Sequence, residues 1–346
     1  MKQYFSTVLI LSAAAAVLPA IPVYFSGKAD IPSEAEEREV TEAAEEAPDE
    51  PEETAGTVTD EPYKVLDMAS GEVIEVPVRE YVIGAVCAEM PASFSEEALK
   101  AQAVAAHTYA ERQRMREKAS PTSELKGADF SNDTSKYQGY FTEEQAKQFF
   151  GDNFEPNYKK ISDAADEVLD YIIMYNDEPI ISAFHSMSSG KTESAENAWG
   201  ASVDYLVPVD SSYDRSAPKY MDEIRYNREV LENKLETAFP DIKLGDDIGS
   251  WIKVGDVSDS GTVLTVSAGD RTVSGSELRS ALTLRSACFD VSFEGEEAVF
   301  TTRGFGHGVG MSQYGADAMA KDGKNWREIL EHYYSGCDIK RCDLKQ

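Results

Sequence analysis

The chain has 346 residues, enough for a membrane segment, a linker and one or two domains. Its 63 acidic residues outnumber 33 basic ones, for a formal charge of −30. No run gathers a basic face, which argues against nucleic acid as a partner.

In chain order, Lys2 precedes an almost uncharged stretch from Tyr4 to Phe25, followed by Lys28. That length crosses a bilayer, so residues 1–28 are predicted to form an N-terminal transmembrane signal-anchor. The alanines before Pro19 leave a cleaved signal peptide as the alternative. One basic residue ahead of the span predicts a single-pass cell-membrane protein with its bulk outside the cytoplasm. Residues 29–62 are rich in Glu, Ala, Pro and Thr and lack the apolar surface needed to fold, so an acidic disordered linker is expected there. The folded part is then 63–346.

Val73–Val78 alternates like a strand, and Pro77 assigns it to a sheet edge. Val78–Glu89 reads as a short helix stopped by Pro91, which disfavours helical backbone at Met90. Glu89 stands in an apolar run with Val86, Cys87, Ala88 and Met90, at a helix C-terminus where the macrodipole opposes negative charge. Both surroundings push a carboxyl pKa upward, as a general acid near neutral pH requires. The alternative is a partly exposed last-turn glutamate with no task.

Ser93 or Ser95 can cap the next helix, with Ser93 and Glu96 at capping-box spacing. That helix is expected to run to about Arg116, with Leu99, Ala103, Ala106 and Ala110 on a buried face and Gln102 and His107 as polar interruptions. Gln138 lies in an unassigned segment, and Thr142–Gln148 is predicted as a short helix. Glu167–Tyr175 and Pro179–Phe184 read as strands around an Asn176–Glu178 turn, and Glu223–Phe239 as a charged peripheral helix. Strands are expected at Ile252–Asp256, Thr262–Ala268, Phe289–Phe293 and Ala298–Arg303. Helices are expected at Ser276–Leu284, Ser312–Lys321 and Trp326–Tyr334. Helices and hairpins without a regular βαβ rhythm predict an α+β domain, a main lobe of helices and antiparallel strands with a smaller second lobe from the middle of the chain.

Cys87, Cys288, Cys337 and Cys342 show no metal-ligand spacing. Cys87 is expected to be a small core residue, whereas Cys337 and Cys342 are close enough for a disulfide whose geometry the sequence cannot supply.

Four blocks, in order, carry a resemblance to a known family. They are Val76–Arg112 (VPVREYVIGAVCAEMPASFSEEALKAQAVAAHTYAER), Phe184–Trp199 (FHSMSSGKTESAENAW), Gly304–Gly315 (GFGHGVGMSQYG) and Ile329–Tyr334 (ILEHYY). This pattern resembles the stage II sporulation protein D family, the SpoIID/LytB domain, from about Glu75 to Ile339. The resemblance implies a membrane-tethered lytic transglycosylase that cuts MurNAc–GlcNAc bonds of denuded peptidoglycan strands during engulfment in sporulation, in a glycan groove between the two lobes. It implies a sporulation amidase and a membrane scaffold protein as partners. Such an enzyme needs one acid, which would be Glu89.

Glu193, Asp210 and Asp214 are conceivable second carboxylates for a hydrolase, but each sits in a polar loop. A non-catalytic amidase enhancer that binds glycan is the other rival. The glycines of the third block permit close approach to a ligand, and Gly306, His307, Gly308, Ser312, Gln313 and Tyr314 are expected to line the groove. Ser188, Ser189, Gly190, Thr192 and Glu193 are candidates of the same kind, with Tyr205 and Tyr334 matching family positions near substrate. Gln102 and His107 complete the expected binding set.

Two departures matter. The family's usual arginine is His107 here, exchanging a fixed bidentate charge for a group that is neutral or charged. Some relatives bind zinc after the long helix, but Leu125–Gln138 (LKGADFSNDTSKYQ) has no Cys or His, so no metal and no cofactor is expected.

Overall fold

A computed structural model describes residues 54–55 and 60–342. The expected membrane anchor and most of the expected linker lie outside these residues. Among the described residues, no helix is long and apolar enough to cross a membrane.

Tyr63–Leu66 pairs antiparallel with Val73–Val76 and parallel with Phe130–Ser131, leaving Val73–Val76 at the expected edge. Helix α1 follows at Val78–Glu89, with Pro77 at its N-cap. It ends because Met90, ahead of Pro91, takes an extended conformation (φ −124°, ψ 135°). Helix α2, Glu96–Ala119, is the central strut. Ala98, Ala101, Ala103, Ala105, Ala106 and Ala110 are buried along it, and such small side chains let neighbouring elements approach closely.

Ser95 is the N-cap of α2, but the expected capping box with Ser93 does not form. Instead the Ser95 backbone N–H and hydroxyl both donate to Asp317, at 2.7 and 2.9 Å. A distant carboxylate has replaced the local cap.

Helix α3, Glu143–Phe150, starts in a capping box between Thr142 and Gln145, and α4, Phe154–Asp166, packs against α1 and α2. The strand anticipated from Glu167 begins only at Tyr171, because α4 and its C-cap at Glu167 occupy the preceding residues. Asn176 and Asp177, both with positive φ, make the tight turn into Glu178–Pro179. The anticipated strand Pro179–Phe184 survives only at its ends, since Phe184–His185 leaves that sheet to pair in parallel with Met311–Ser312. Strand Asp338–Cys342 pairs with Tyr171–Tyr175 on one side and with Thr54–Ala55 on the other. Cys337 and Cys87 are unpaired thiols, so no Cys337–Cys342 bridge forms, and Cys87 is a buried core residue as expected.

Helix α5 is Ala195–Trp199. The helix anticipated over Glu223–Phe239 is a strand in its first part: Met221–Asn227 pairs with Glu297–Arg303, and helix α6 occupies only Arg228–Ala238. Asn227 caps α6 by accepting from the Val230 N–H. Strands Phe289–Glu294 and Glu297–Arg303 complete that antiparallel sheet. Strands Ile252–Val254, Val266–Ala268 and Arg271–Val273 form another, followed by helix α7, Gly275–Leu282. Helices α8, Gln313–Lys321, and α9, Trp326–Tyr333, follow, ahead of strand Asp338–Cys342.

The architecture is α+β, as expected, and its apolar residues separate into a main core and a second one. The main core joins α1, α2, α4, α8 and α9. The second, around Trp251, Leu231, Leu278, Phe289 and Phe300, is drawn from the middle of the chain.

Candidate functional site

Glu89 is the last residue of α1 and is 6 % exposed. Among the described residues no charged partner offsets the loss of water around its carboxyl, and burial pushes its pKa up to about 8. The group is therefore predominantly protonated at neutral pH while lining a cleft of about 310 Å³. It is the only carboxylate among the described residues that line this cleft.

The rest of the wall comes from farther along the chain, among it Tyr137 and Gln138, the segment Ile181–Ser186, Trp199, Arg279, Gly306, His307 and Gln313. Parallel pairing of Phe184–His185 with Met311–Ser312 brings two of the sequence blocks together here. Gly306 has φ +116°, and a Cβ at that position would stand 2.8 Å from the His185 Cβ, so the glycine lets the segment ahead of Met311–Ser312 approach His185 closely.

His185 donates from Nδ1 to the Val309 carbonyl at 3.1 Å, leaving Nε2 without a partner. His307 accepts the Val309 N–H at Nδ1, also at 3.1 Å. Burial pushes His185 down to about 4, and burial with its neighbours His185 and Arg279 pushes His307 down to about 3. Both imidazoles are neutral at physiological pH and serve as hydrogen-bonding groups rather than proton donors. The Trp199 ring stands edge-on to His307 with centroids 5.4 Å apart, and its 45 % exposure offers an apolar face to a ligand. The Gln138 amide is buried on the wall with both its oxygen and nitrogen unpartnered, so its hydrogen-bonding capacity is free for a ligand.

Of the residues expected to bind substrate, Gly306, His307 and Gln313 line this cleft with Glu89. Gln102 lies beneath it, fully buried, its Oε1 accepting from Gln313 Nε2 at 3.4 Å. His107 is fully buried in α2, with neither ring nitrogen hydrogen-bonded, and faces Glu111 instead. Ser188 and Ser312 donate to Asp214, together with Ser211, in a buried knot. Ser189 donates to the Ser260 carbonyl, and the backbone of Gly190 (φ +107°) packs beside the Arg215 guanidinium. Thr192 is buried and accepts the Val209 N–H at 2.8 Å. Gly308 packs beside Glu193. Tyr205 accepts from the Ile181 N–H, Tyr334 donates to the Ala183 carbonyl, and Tyr314 stacks edge-on to Phe94.

The conceivable second carboxylates are occupied elsewhere. Glu193 is 1 % exposed, accepting from Ser194 and Asn197 at Oε1 and from Ser258 at Oε2. Asp214 is fully buried within its serine donors, and Asp210 accepts from Ser212. Among the described residues no group of three or more His, Cys, Asp or Glu side chains converges as a metal site.

Sequence reasoning missed Gln138, Arg279, His185 and Trp199 as cleft residues. Trp199 carried a signal, a tryptophan directly before Gly200 in a polar segment; Arg279 sits in an ordinary amphipathic helix and carried none.

The SpoIID family model, described as stage II sporulation protein, matches residues 67–175. The chain is 35 % identical over 347 residues to stage II sporulation protein D of Bacillus subtilis (strain 168), covering 99 % of this chain and 97 % of that one. It is 37 % identical over 274 residues to stage II sporulation protein D of Bacillus amyloliquefaciens, covering 78 % and 76 %. An amidase enhancer of Bacillus subtilis (strain 168) is 28 % identical over 307 residues, 74 % of this chain but 40 % of that protein. With identity of this degree along nearly the whole of a relative, the chain belongs to the stage II sporulation protein D family.

Proposed function

We propose that this protein is a lytic transglycosylase that cleaves MurNAc–GlcNAc bonds of denuded peptidoglycan strands during engulfment in sporulation. The observation that carries the reading is Glu89, a buried, predominantly protonated carboxyl that is the sole acid on the cleft wall among the described residues. A hydrolase that inverts or retains needs two carboxylates across the scissile bond. A lytic transglycosylase needs one. Glu89 donates its proton to the glycosidic oxygen, and the resulting carboxylate accepts the proton of the muramic C6 hydroxyl as that oxygen attacks the anomeric carbon. The products are a free GlcNAc hydroxyl and a 1,6-anhydro end, with the Glu89 proton restored.

In this reading the neutral His307 and His185, the Gln138 amide and the Trp199 face hold the sugars between the two lobes. Residues 1–28 anchor the chain in the membrane, a sporulation amidase prepares the denuded strands, and a membrane scaffold holds the enzymes together. The match to an amidase enhancer supports a second reading, a glycan-binding protein that cuts nothing.

Mass spectrometry of a digest of denuded glycan separates them. Anhydro ends made by the parent protein and absent with folded Glu89→Gln are expected. Reducing ends bearing added water indicate a hydrolase, and intact strands with measurable binding indicate the enhancer.

A further inference from the structure

Arg279 is the one guanidinium on the cleft wall among the described residues. It lies on α7, whose Leu278 and Leu282 are packed in the second core, so a helix of that core contributes to the same cleft wall as Glu89 of α1. Among the described residues it makes a single hydrogen bond, from Nε to the Leu284 carbonyl at 3.3 Å, and no carboxylate pairs with it. In a chain carrying 63 acidic residues, an unneutralised arginine is conspicuous. Burial lowers its pKa, yet guanidinium remains charged at any physiological pH. It also lies close enough to His185 and His307 to disfavour their protonation. The other charged groups on the wall are Glu89, already neutral at pH 7, and Lys136, an exposed residue.

A partly desolvated guanidinium with both terminal nitrogens uncommitted is built to receive a planar anion through two parallel hydrogen bonds. On a peptidoglycan strand the anion attached to the sugar is the lactyl carboxylate of N-acetylmuramic acid. It is a carboxylate only where the stem peptide has been removed; with the peptide in place it is an amide, neutral and with one oxygen fewer. We infer that Arg279 binds the free lactyl carboxylate beside the His185–His307 pair and so discriminates denuded strands from peptide-bearing ones. The inference rests on the glycan reading above, and it makes Arg279 a specificity residue rather than a proton-transfer group.

The test measures binding, so it stands apart from whether the protein cleaves. Full-length Glu89→Gln protein is titrated with three probes: denuded glycan oligomers, the same oligomers with lactyl carboxylates converted to methylamides, and peptide-bearing oligomers. The unaltered cleft is expected to prefer the denuded oligomer by about tenfold or more, the low end for a hydrogen bond to a charged group. Adding Arg279→Gln should bring all three probes to the affinity of the methylamide, whereas Arg279→Lys should restore part of the preference and Lys136→Gln should keep it. Equal affinity for all three probes in the parent overturns the inference even if Arg279→Gln fails to fold. A preference that persists in Arg279→Gln, or that vanishes with Lys136→Gln instead, overturns it as well. Anhydro products without any preference would sink this inference and leave the proposed reaction standing. A preference without products would do the reverse.

Discussion

The His107 ring stands one turn before Glu111 on α2, with Nε2 3.7 Å from the carboxylate, and both side chains are almost entirely inside the fold. Glu111 also accepts from the Tyr63 hydroxyl at 2.6 Å and pairs with Arg114 at 2.5 Å. The position at which the family usually carries an arginine therefore faces a buried ionic cluster and not the cleft. His107→Arg, tested in the Glu89→Gln background, is expected to leave affinity for denuded glycan unchanged. The larger side chain should lower stability by about 1–3 kcal/mol through overpacking, read from denaturant unfolding. Tighter glycan binding by the variant would return His107 to the site.

Glu111 is the hub of that cluster. Burial opposes its ionisation, but His107, Arg114 and the Tyr63 hydroxyl outweigh burial and hold its pKa below the usual value of 4.5. A depressed carboxylate contributes stability that is present above its unfolded pKa and lost as pH falls through the folded one. Glu111→Ala should cost about 3–5 kcal/mol at pH 7, because it removes one partner of the buried Glu111–Arg114 ion pair. The deficit relative to the parent should shrink as pH drops below 4.5. A deficit independent of pH would remove Glu111 from the ionic account.

Glu89 runs the other way. Its folded-state pKa, about 8, lies above the usual 4.5, so its contribution is fully present below pH 4.5 and is lost as pH rises through 8. Glu89→Gln should therefore match the parent in stability near pH 4. At pH 9 it should exceed the parent by several kcal/mol, roughly 3–5 by linkage. Activity should fall with the same apparent pKa as the acid deprotonates, while the variant loses at least about 10²-fold. Equal pH–stability profiles of parent and variant would show that the Glu89 carboxyl is not held neutral.

Gly306 and Gly323 form a matched pair for backbone strain. Both have positive φ, but a Cβ at Gly306 meets His185 at 2.8 Å whereas at Gly323 it meets open space. Gly306→Ala should lose about 1–3 kcal/mol and disturb the His185 and His307 ring resonances. Gly323→Ala should carry only the backbone cost and leave those resonances in place. Identical effects of the two substitutions would mean that no close contact operates at Gly306.

Much of the local structure was legible in the residues themselves. Pro77 and Pro91 bound α1 because proline restricts its own backbone and that of its predecessor, and the Asn176–Asp177 turn follows from side chains that tolerate positive φ. The raised pKa of Glu89 was likewise readable, since an apolar neighbourhood is a sequence-local feature. Segments with two acceptable patterns were decided elsewhere. Met221–Asn227 is charged enough for a surface helix, yet pairing with Glu297–Arg303 satisfies its backbone as a strand. Ser93 offered a capping box, but Asp317, more than two hundred residues away, took both Ser95 donors. The composition of the cleft belongs wholly to tertiary structure. Which serines feed Asp214, why His107 faces inward and how Arg279 comes to share a wall with Glu89 all depend on packing between elements remote in sequence, where burial and charge are set by partners that no local pattern names.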